Sequence, residues 1–261
     1  GKGVFRKLAE YATEQLMKSE VNVIYTFPNA KSIHTFLKYN GYSKIETFST
    51  FILPVKVENI IAAKIRFLNI HKVIGVASDL IFDAKSASRN SDFLVEKQER
   101  ITPDMVELFL AFNAQFENAL TRDYAYLHWR YEEKPHGKHY FFTVRKGVKP
   151  AACVILSVEE LLGCKALVIL DFAMISTEAF AQLIAIIRKD SSKYFNENIG
   201  MLYTSVSNSN NDSFLKSGFV KIPERFNPRA LHLLGKNVSE NQKEVLTASN
   251  WNFTLSEWDV L

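Results

Sequence analysis

Gly1-Lys2-Gly3-Val4-Phe5-Arg6-Lys7-Leu8 opens the chain, and its reading decides how everything after it is grouped. A glycine turn leads into a helical stretch from Val4 to Ser19 and then into a short β-branched and aromatic run from Val21 to Phe27. A second helix, Lys31 to Tyr39, closes at Asn40-Gly41, a pair suited to a helix C-cap. The same order returns in the last third, where Met201-Leu202-Tyr203-Thr204 leads into Phe214-Leu215-Lys216 and Gly218-Phe219-Val220-Lys221-Ile222. Tyr25 and Tyr203, Thr26 and Thr204, and Phe36 and Phe214 are each 178 residues apart. A fixed offset over several elements points to two copies of one α/β unit, and two copies are too few for a solenoid.

The 261 residues leave room for two domains. Apolar residues make up 47% and aromatics 13%, enough to fill real cores. Lys and Arg number 32 against 28 Asp and Glu, a net charge of +4 without long runs of one sign. That dispersal argues against a nucleic-acid surface and is compatible with a small anionic ligand. Cys153 and Cys164 lack metal-ligand spacing, and two buried thiols are expected. Apolar runs such as Ala166 to Leu170 are far too short for a membrane span, and the start carries no secretory pattern. The composition predicts a soluble, cytoplasmic protein with no membrane or nucleic-acid partner. The six histidines are scattered, and no metal site is expected.

Phe5, Leu8, Ala12 and Leu16 fall on one face of the first helix, so the helix is expected to pack by that face. Val21 to Phe27 reads as a buried strand, and Tyr42 to Leu53 as one or two strands ended by Pro54. Residues 56–92 read as a helical connector followed by a polar linker. A strand near Phe93 to Glu96 then opens the later unit. Thr102-Pro103-Asp104 starts a helix with Met105, Leu108, Phe109 and Phe112 on its buried side. Tyr124 to Tyr131 is a further helix. His139 to Arg145, Ala151 to Val158 and Ala166 to Phe172, with turns at Gly147 and Gly163, form an antiparallel meander. The next helix buries Phe180, Leu183, Ile184 and Ile187, and the alternation Trp251, Phe253, Leu255 suits a tail strand with one buried face.

Strand, helices, three-stranded meander, helix, strand, helix, strand is an order that resembles the GNAT superfamily of N-acyltransferases. The resemblance implies an α/β (α+β) fold with a mixed sheet. It also implies a division into the C-terminal half of a first GNAT domain (1–55), a helical connector and linker (56–92) and a complete but degenerate second GNAT domain (93–261). In that family a Gln/Arg-x-x-Gly-x-Gly/Ala turn at a helix N-terminus holds the pyrophosphate of coenzyme A. Gly1-Lys2-Gly3-Val4 looks like the second half of that turn, so these four residues are the candidate cofactor contacts. The Gln/Arg and the strands before it are not in the sequence, which implies a tandem protein met here without its first half-domain. By the 178-residue offset Gly1 and Gly3 correspond to Ala179 and Ala181, and Asp171 to Ala181 contains no glycine. The later copy is therefore expected to lack a cofactor of its own.

The resemblance also assigns Asn29, at the end of the first strand, to the pantetheine or cofactor; the bland reading is a helix cap. Phe36 stands where many relatives carry an acid tyrosine, and there it can only line the cofactor. Tyr39, one turn on, is the candidate general acid, against an ordinary core or surface tyrosine. Arg122, Trp129 and Arg130 flank the expected acceptor groove, with helix anchoring and pairing to Glu132 or Glu133 as the structural alternative. The implied activity is transfer of an acetyl or similar group from acyl-coenzyme A to a small-molecule amine, with the truncated piece itself inactive. Rival readings are a tandem-GNAT aminoacyl transferase and a non-catalytic interaction or acyl-binding module. An orphaned half-sheet would further imply homodimerisation through an open edge.

Overall fold

In a computed structural model, residues 3–19, 21–56, 92–133, 137–161, 163–227, 230–238, 246 and 251–258 are described. The expected connector, 57–91, lies outside them. The first third supplies α1 (Val4–Met17), β1 (Val23–Thr26), α2 (Ile33–Tyr39), β2 (Ser43–Thr47) and β3 (Ser49–Pro54). After residue 92 come β4 (Phe93–Gln98), α3 (Pro103–Asn113), β5 (Asn118–Ala119) and α4 (Tyr124–Tyr131). The meander is β6 (His139–Lys146), β7 (Lys149–Leu161) and β8 (Cys164–Met174). Then follow α5 (Thr177–Lys189), α6 (Ser191–Phe195), β9 (Ile199–Val206), α7 (Asn211–Lys216), β10 (Val220–Ile222), β11 (His232–Asn237) and β12 (Trp251–Asn252).

Local chemistry accounts for the helix starts in the later unit. The Thr102 hydroxyl accepts from the Met105 amide at 3.4 Å, and Pro103 occupies the first turn, where its missing N–H costs nothing. Asp123 caps α4 through the Tyr126 amide at 2.8 Å, and Ser176 caps α5 through Ala179 at 3.2 Å. The predicted faces of α3 and α5 are buried, α3 against β7 and β8 and α5 chiefly against β6 and β7. Both cysteines are free and buried.

The sheets hold what local reading did not foresee. The seven-stranded sheet runs β10-β3-β9-β8-β7-β6-β4, and a three-stranded sheet runs β1-β11-β2. Every neighbouring pair in both is antiparallel except β8 with β9. β3, from the first third, lies between β9 and β10, while β11, from the last third, lies between β1 and β2. Each third thus gives one strand to the other's sheet. All six residues of β3 are buried, and the Phe51 ring stacks on Phe214 of α7 with centroids 5.4 Å apart. On the other side Gly235 of β11 is packed so closely that a Cβ there would stand 2.6 Å from Leu246 Cδ2 and 2.7 Å from Ile45 Cδ1, so a larger residue would have to push these two side-chain tips aside.

Three expectations fail. The first helix does not pack by its predicted face: Leu8 is 64% exposed, and Ala12 and Leu16 are also exposed. Thr13 is the α1 side chain that the described residues bury, because they place no sheet face opposite the apolar stripe. β1 is half-buried, with β11 as its one neighbour among the described residues. The tail is not a strand with a single buried face. Trp251 to Ser256 are buried on every side, since after a two-residue strand beside β5 the chain turns inward between β8 and β9.

Candidate functional site

At the opening turn, Gly3 is the N-cap of α1 at φ 90°, a left-handed conformation that favours glycine. A Cβ built there meets nothing within 4 Å, and the first turn of α1 contains no acidic side chain. Val4 is exposed, while Gly1 and Lys2 lie outside the described residues. An open, glycine-entered helix N-terminus free of carboxylates fits an anion.

Asn29 lies just past the end of β1. Its Oδ1 accepts from the Lys31 and Ser32 amides at 3.0 Å each and from the Ser32 hydroxyl at 3.1 Å, so it caps the turn into α2. Phe36 is half-buried, edge-on to Tyr42 at 5.1 Å. Tyr39 is half-exposed, stacked on His34, with Lys38 Nζ 5.2 Å from its ring centroid. It borders a cleft of about 270 Å³ between α1 and the turn after α2, with Glu10, Thr13, Asn40 and Lys236 around it. Lys236 Nζ donates to the Asn40 carbonyl at 3.0 Å, and neither atom of the buried Asn40 side-chain amide has a partner among the described residues. The sequence reading did not single out Asn40 or Lys236.

The three expected acceptor residues do not form one group. Arg122 is 1% exposed and held from all sides. Its Nε donates to Asp171 Oδ2 at 2.7 Å, and its Nη2 donates to Glu257 Oε1 at 2.6 Å, to Thr254 Oγ1 at 3.1 Å and to Ser256 Oγ at 3.2 Å. Burial pulls its pKa down, but the two carboxylates outweigh that and leave it above its usual range. Arg130 is buried and donates to the Trp258 carbonyl at 3.1 Å, while Trp129 is 58% exposed. Glu132 Oε2 and Glu133 Oε1 lie 3.4 and 3.2 Å from the ring nitrogens of His128. The sequence reading missed Asp171, although a lone carboxylate in an apolar strand signals a buried partner. Its partner was not legible.

A gap opens between β8 and β9. β8 and β9 pair in parallel only from Lys165↔Ile199 to Val168↔Tyr203. Opposite β7 the register slips between Ile155↔Asp171 and Leu156↔Ile169, leaving Leu170 as the extra residue of a bulge. The space past the pairing is taken by the tail. The Phe253 amide donates to Ser207 Oγ at 3.2 Å, its carbonyl accepts from the Ser207 amide at 3.1 Å, and the Thr254 hydroxyl donates to Asp171 Oδ1 at 3.2 Å. Phe253 packs on Tyr25, Phe27 and Trp251, tying both sheets to the tail.

Glu46 of β2 is another buried carboxylate that the sequence reading missed. Oε2 accepts from the Asn208 amide at 3.0 Å, and Oε1 has no partner among the described residues. Burial, opposed by the Asn208 hydrogen bond, lifts its pKa from 4.5 to about 7. The folded chain therefore binds this proton more tightly than the unfolded chain, so stability falls as pH rises from about 4.5 through about 7. Glu46→Gln is expected to remove roughly 3 kcal/mol of that decline. Urea denaturation from pH 4.5 to 8 checks it; parallel curves for the two proteins would refute it.

Among the described residues no helix is long and apolar enough to cross a membrane, and no group of side chains is arranged to hold a metal.

No family model matches the sequence, and no curated protein does. Solved structures do match. A GCN5-related N-acetyltransferase from Anabaena variabilis superposes with TM-score 0.62 at 12% identity, over 92% of this chain and 52% of its own. One from Kribbella flavida gives 0.52 at 11% identity, over 91% and 48%. A tandem GNAT protein from the clavulanic acid biosynthesis pathway gives 0.50 at 10% identity, over 92% and 72%. The chain spans about half the length of the first of these. At such identities the likeness shows the fold alone: a mixed α/β sheet that matches the topology of these GNAT structures.

Proposed function

We propose that the chain is part of an acyl-coenzyme A-dependent N-acyltransferase of tandem GNAT type. It comprises the C-terminal half of a cofactor-binding unit (1–55), a connector and a cofactor-free second unit (93–261). The observation that carries this reading is a contrast. The later unit's gap between β8 and β9 is filled by the chain's own tail, while the earlier unit keeps an open, glycine-entered helix N-terminus. Gly1, Lys2, Gly3 and Val4 would receive the diphosphate. Asn29 and Phe36 would border the pantetheine, and Tyr39 would supply a proton to the departing thiolate. The acyl thioester supplies the electrophilic carbonyl that the amine attacks, and the chain's task is to position the two and exclude water. Arg122 is spent on internal partners, so acceptor contacts fall to exposed groups such as Trp129.

Calorimetry with acetyl-coenzyme A on this chain, and on the same chain carrying the residues that precede it in its natural polypeptide, tests the reading. One site per extended chain is expected, with affinity reduced at least tenfold by Gly3→Glu, which sets a carboxylate against the diphosphate. Two sites, or one indifferent to Gly3→Glu, would place the cofactor elsewhere. No binding by either form would favour a non-catalytic module.

A further inference from the structure

The cleft between α1 and the turn after α2 encloses about 270 Å³ and holds polar groups that the proposed acyl transfer does not use. Asn40, the C-cap of α2, is 6% exposed, and neither its Nδ2 nor its Oδ1 has a partner among the described residues. An amide that is both desolvated and unpaired is costly, and its place on a cleft wall points to a ligand that completes it. The same turn fixes a cation beside it. Gly41, at φ 69°, lets the backbone reverse while Lys236 lies across it, with Cε and Nζ each 3.8 Å from where a Cβ would stand. Lys236 Nζ gives one hydrogen to the Asn40 carbonyl at 3.0 Å and pairs with no carboxylate among the described residues. The α1 wall offers the opposite charge. Glu10 is bonded by Arg6 Nε at 2.7 Å, and Thr13 Oγ1, whose hydrogen goes to the Ala9 carbonyl at 2.8 Å, keeps its lone pairs.

We propose that this cleft binds a free α-amino acid as its zwitterion. The ligand carboxylate accepts from Lys236 Nζ and Asn40 Nδ2, and the ligand ammonium donates to Asn40 Oδ1, Thr13 Oγ1 and Glu10. No simple ion satisfies both halves of the amide. An anion leaves Oδ1 without a donor, and a cation leaves Nδ2 and Lys236 unmatched. Both amide atoms are closed off from solvent in the empty form, so binding includes a turn of the Asn40 side chain toward the cleft. The ligand side chain takes the remaining space along Ala9 and Tyr39. A volume just below the range of drug-sized ligands suits a molecule this small. The cleft also depends on the exchange of strands. Lys236 comes from β11, where it stands opposite Ile24 of β1, whereas the rest of the lining comes from the first third. Occupancy therefore ties β11 to α1 and α2 and stabilises the junction of the two thirds.

The test titrates the 261-residue chain with a panel of the common L-α-amino acids, and with acetate and methylammonium as half-ligands. Thermal melting reports stabilisation, and the Asn40 side-chain amide signals of nitrogen-15-labelled protein, identified by their loss in Asn40→Leu, report the site. At least one amino acid is expected to raise the melting temperature saturably and to shift those signals, while neither half-ligand does so at the same concentration. Lys236→Met should weaken binding at least tenfold. Asn40→Leu, which replaces the amide by an apolar group of similar shape, should abolish binding and raise the melting temperature of the unliganded chain. Acetate acting as strongly as any amino acid, binding that survives Lys236→Met, or no response to any member of the panel would each overturn the proposal. So would a lower melting temperature for unliganded Asn40→Leu, because it would mean that the amide already has partners. The assay contains no acyl-coenzyme A, so its outcome is separate from that of the acyltransferase reading.

Discussion

Arg122→Met is expected to destabilise the chain by about 3–5 kcal/mol, a large share of the roughly 5–15 kcal/mol that holds a typical domain folded. The guanidinium sits between Asp171 and Glu257 at 2.7 and 2.6 Å, and all three side chains are almost completely buried. Removing it strands two carboxylates in an apolar interior, one of them, Glu257, already pushed upward in pKa by burial and held back by Arg122. Without the arginine nothing would oppose the upward push of burial on Glu257. A raised carboxylate pKa in the folded state means stability present at low pH and lost as pH rises through it. The variant should therefore be closest to the parent near pH 5 and furthest from it near pH 8. Adding Asp171→Asn and Glu257→Gln to Arg122→Met should recover most of the loss, because neutral amides need no counter-charge. Urea denaturation at both pH values measures it. A loss below about 1 kcal/mol that ignores pH would show that the cluster is solvated in solution.

Separating the two thirds should have a still larger effect. Residues 92–261 expressed without 1–56 are expected not to fold cooperatively, and mixing the two pieces is expected to restore the fold. β3 fills the slot between β9 and β10 and buries Phe51, Ile52 and Leu53 there. At about 1.5–3 kcal/mol for each fully buried large apolar side chain, these three alone rival the whole stability of a typical domain. Its loss also leaves β9 and β10 without a shared neighbour. β11 suffers the converse fate, since its partners β1 and β2 are on the missing piece. Circular dichroism and a thermal melt of 92–261 alone decide the matter. A sharp melt at the parent temperature would mean that the exchanged strands are accessories.

The same exchange limits how far a sequence reading can go. Each unit was legible because its signals are local: the caps at Thr102, Asp123 and Ser176, the glycine turns of the meander and the apolar spacing of α3 and α5. The recurrence of Tyr25, Thr26 and Phe36 at one offset is a feature of the sequence, and the two-unit division built on it belongs to the proposal. A strand such as Ser49–Pro54 is as apolar beside one neighbour as beside another, so nothing in its residues says which sheet will receive it. Asn29 was read with its cap alternative in view, and it does cap a helix turn. Leu8 and Leu16 were read as core because amphipathic spacing records that a helix expects a partner, not that one is present.

Thus the order of residues by itself determined the succession of helices and strands and the glycine-entered start of α1, because each depends on contacts only a few residues long. Tertiary structure alone decided that β3 and β11 trade places, that Trp251 to Glu257 close the gap beside β8, and that Arg122 faces inward. Those outcomes depend on burial and charge pairing between groups as far apart as Arg122 and Glu257. Such pairings leave no mark on the residues beside them.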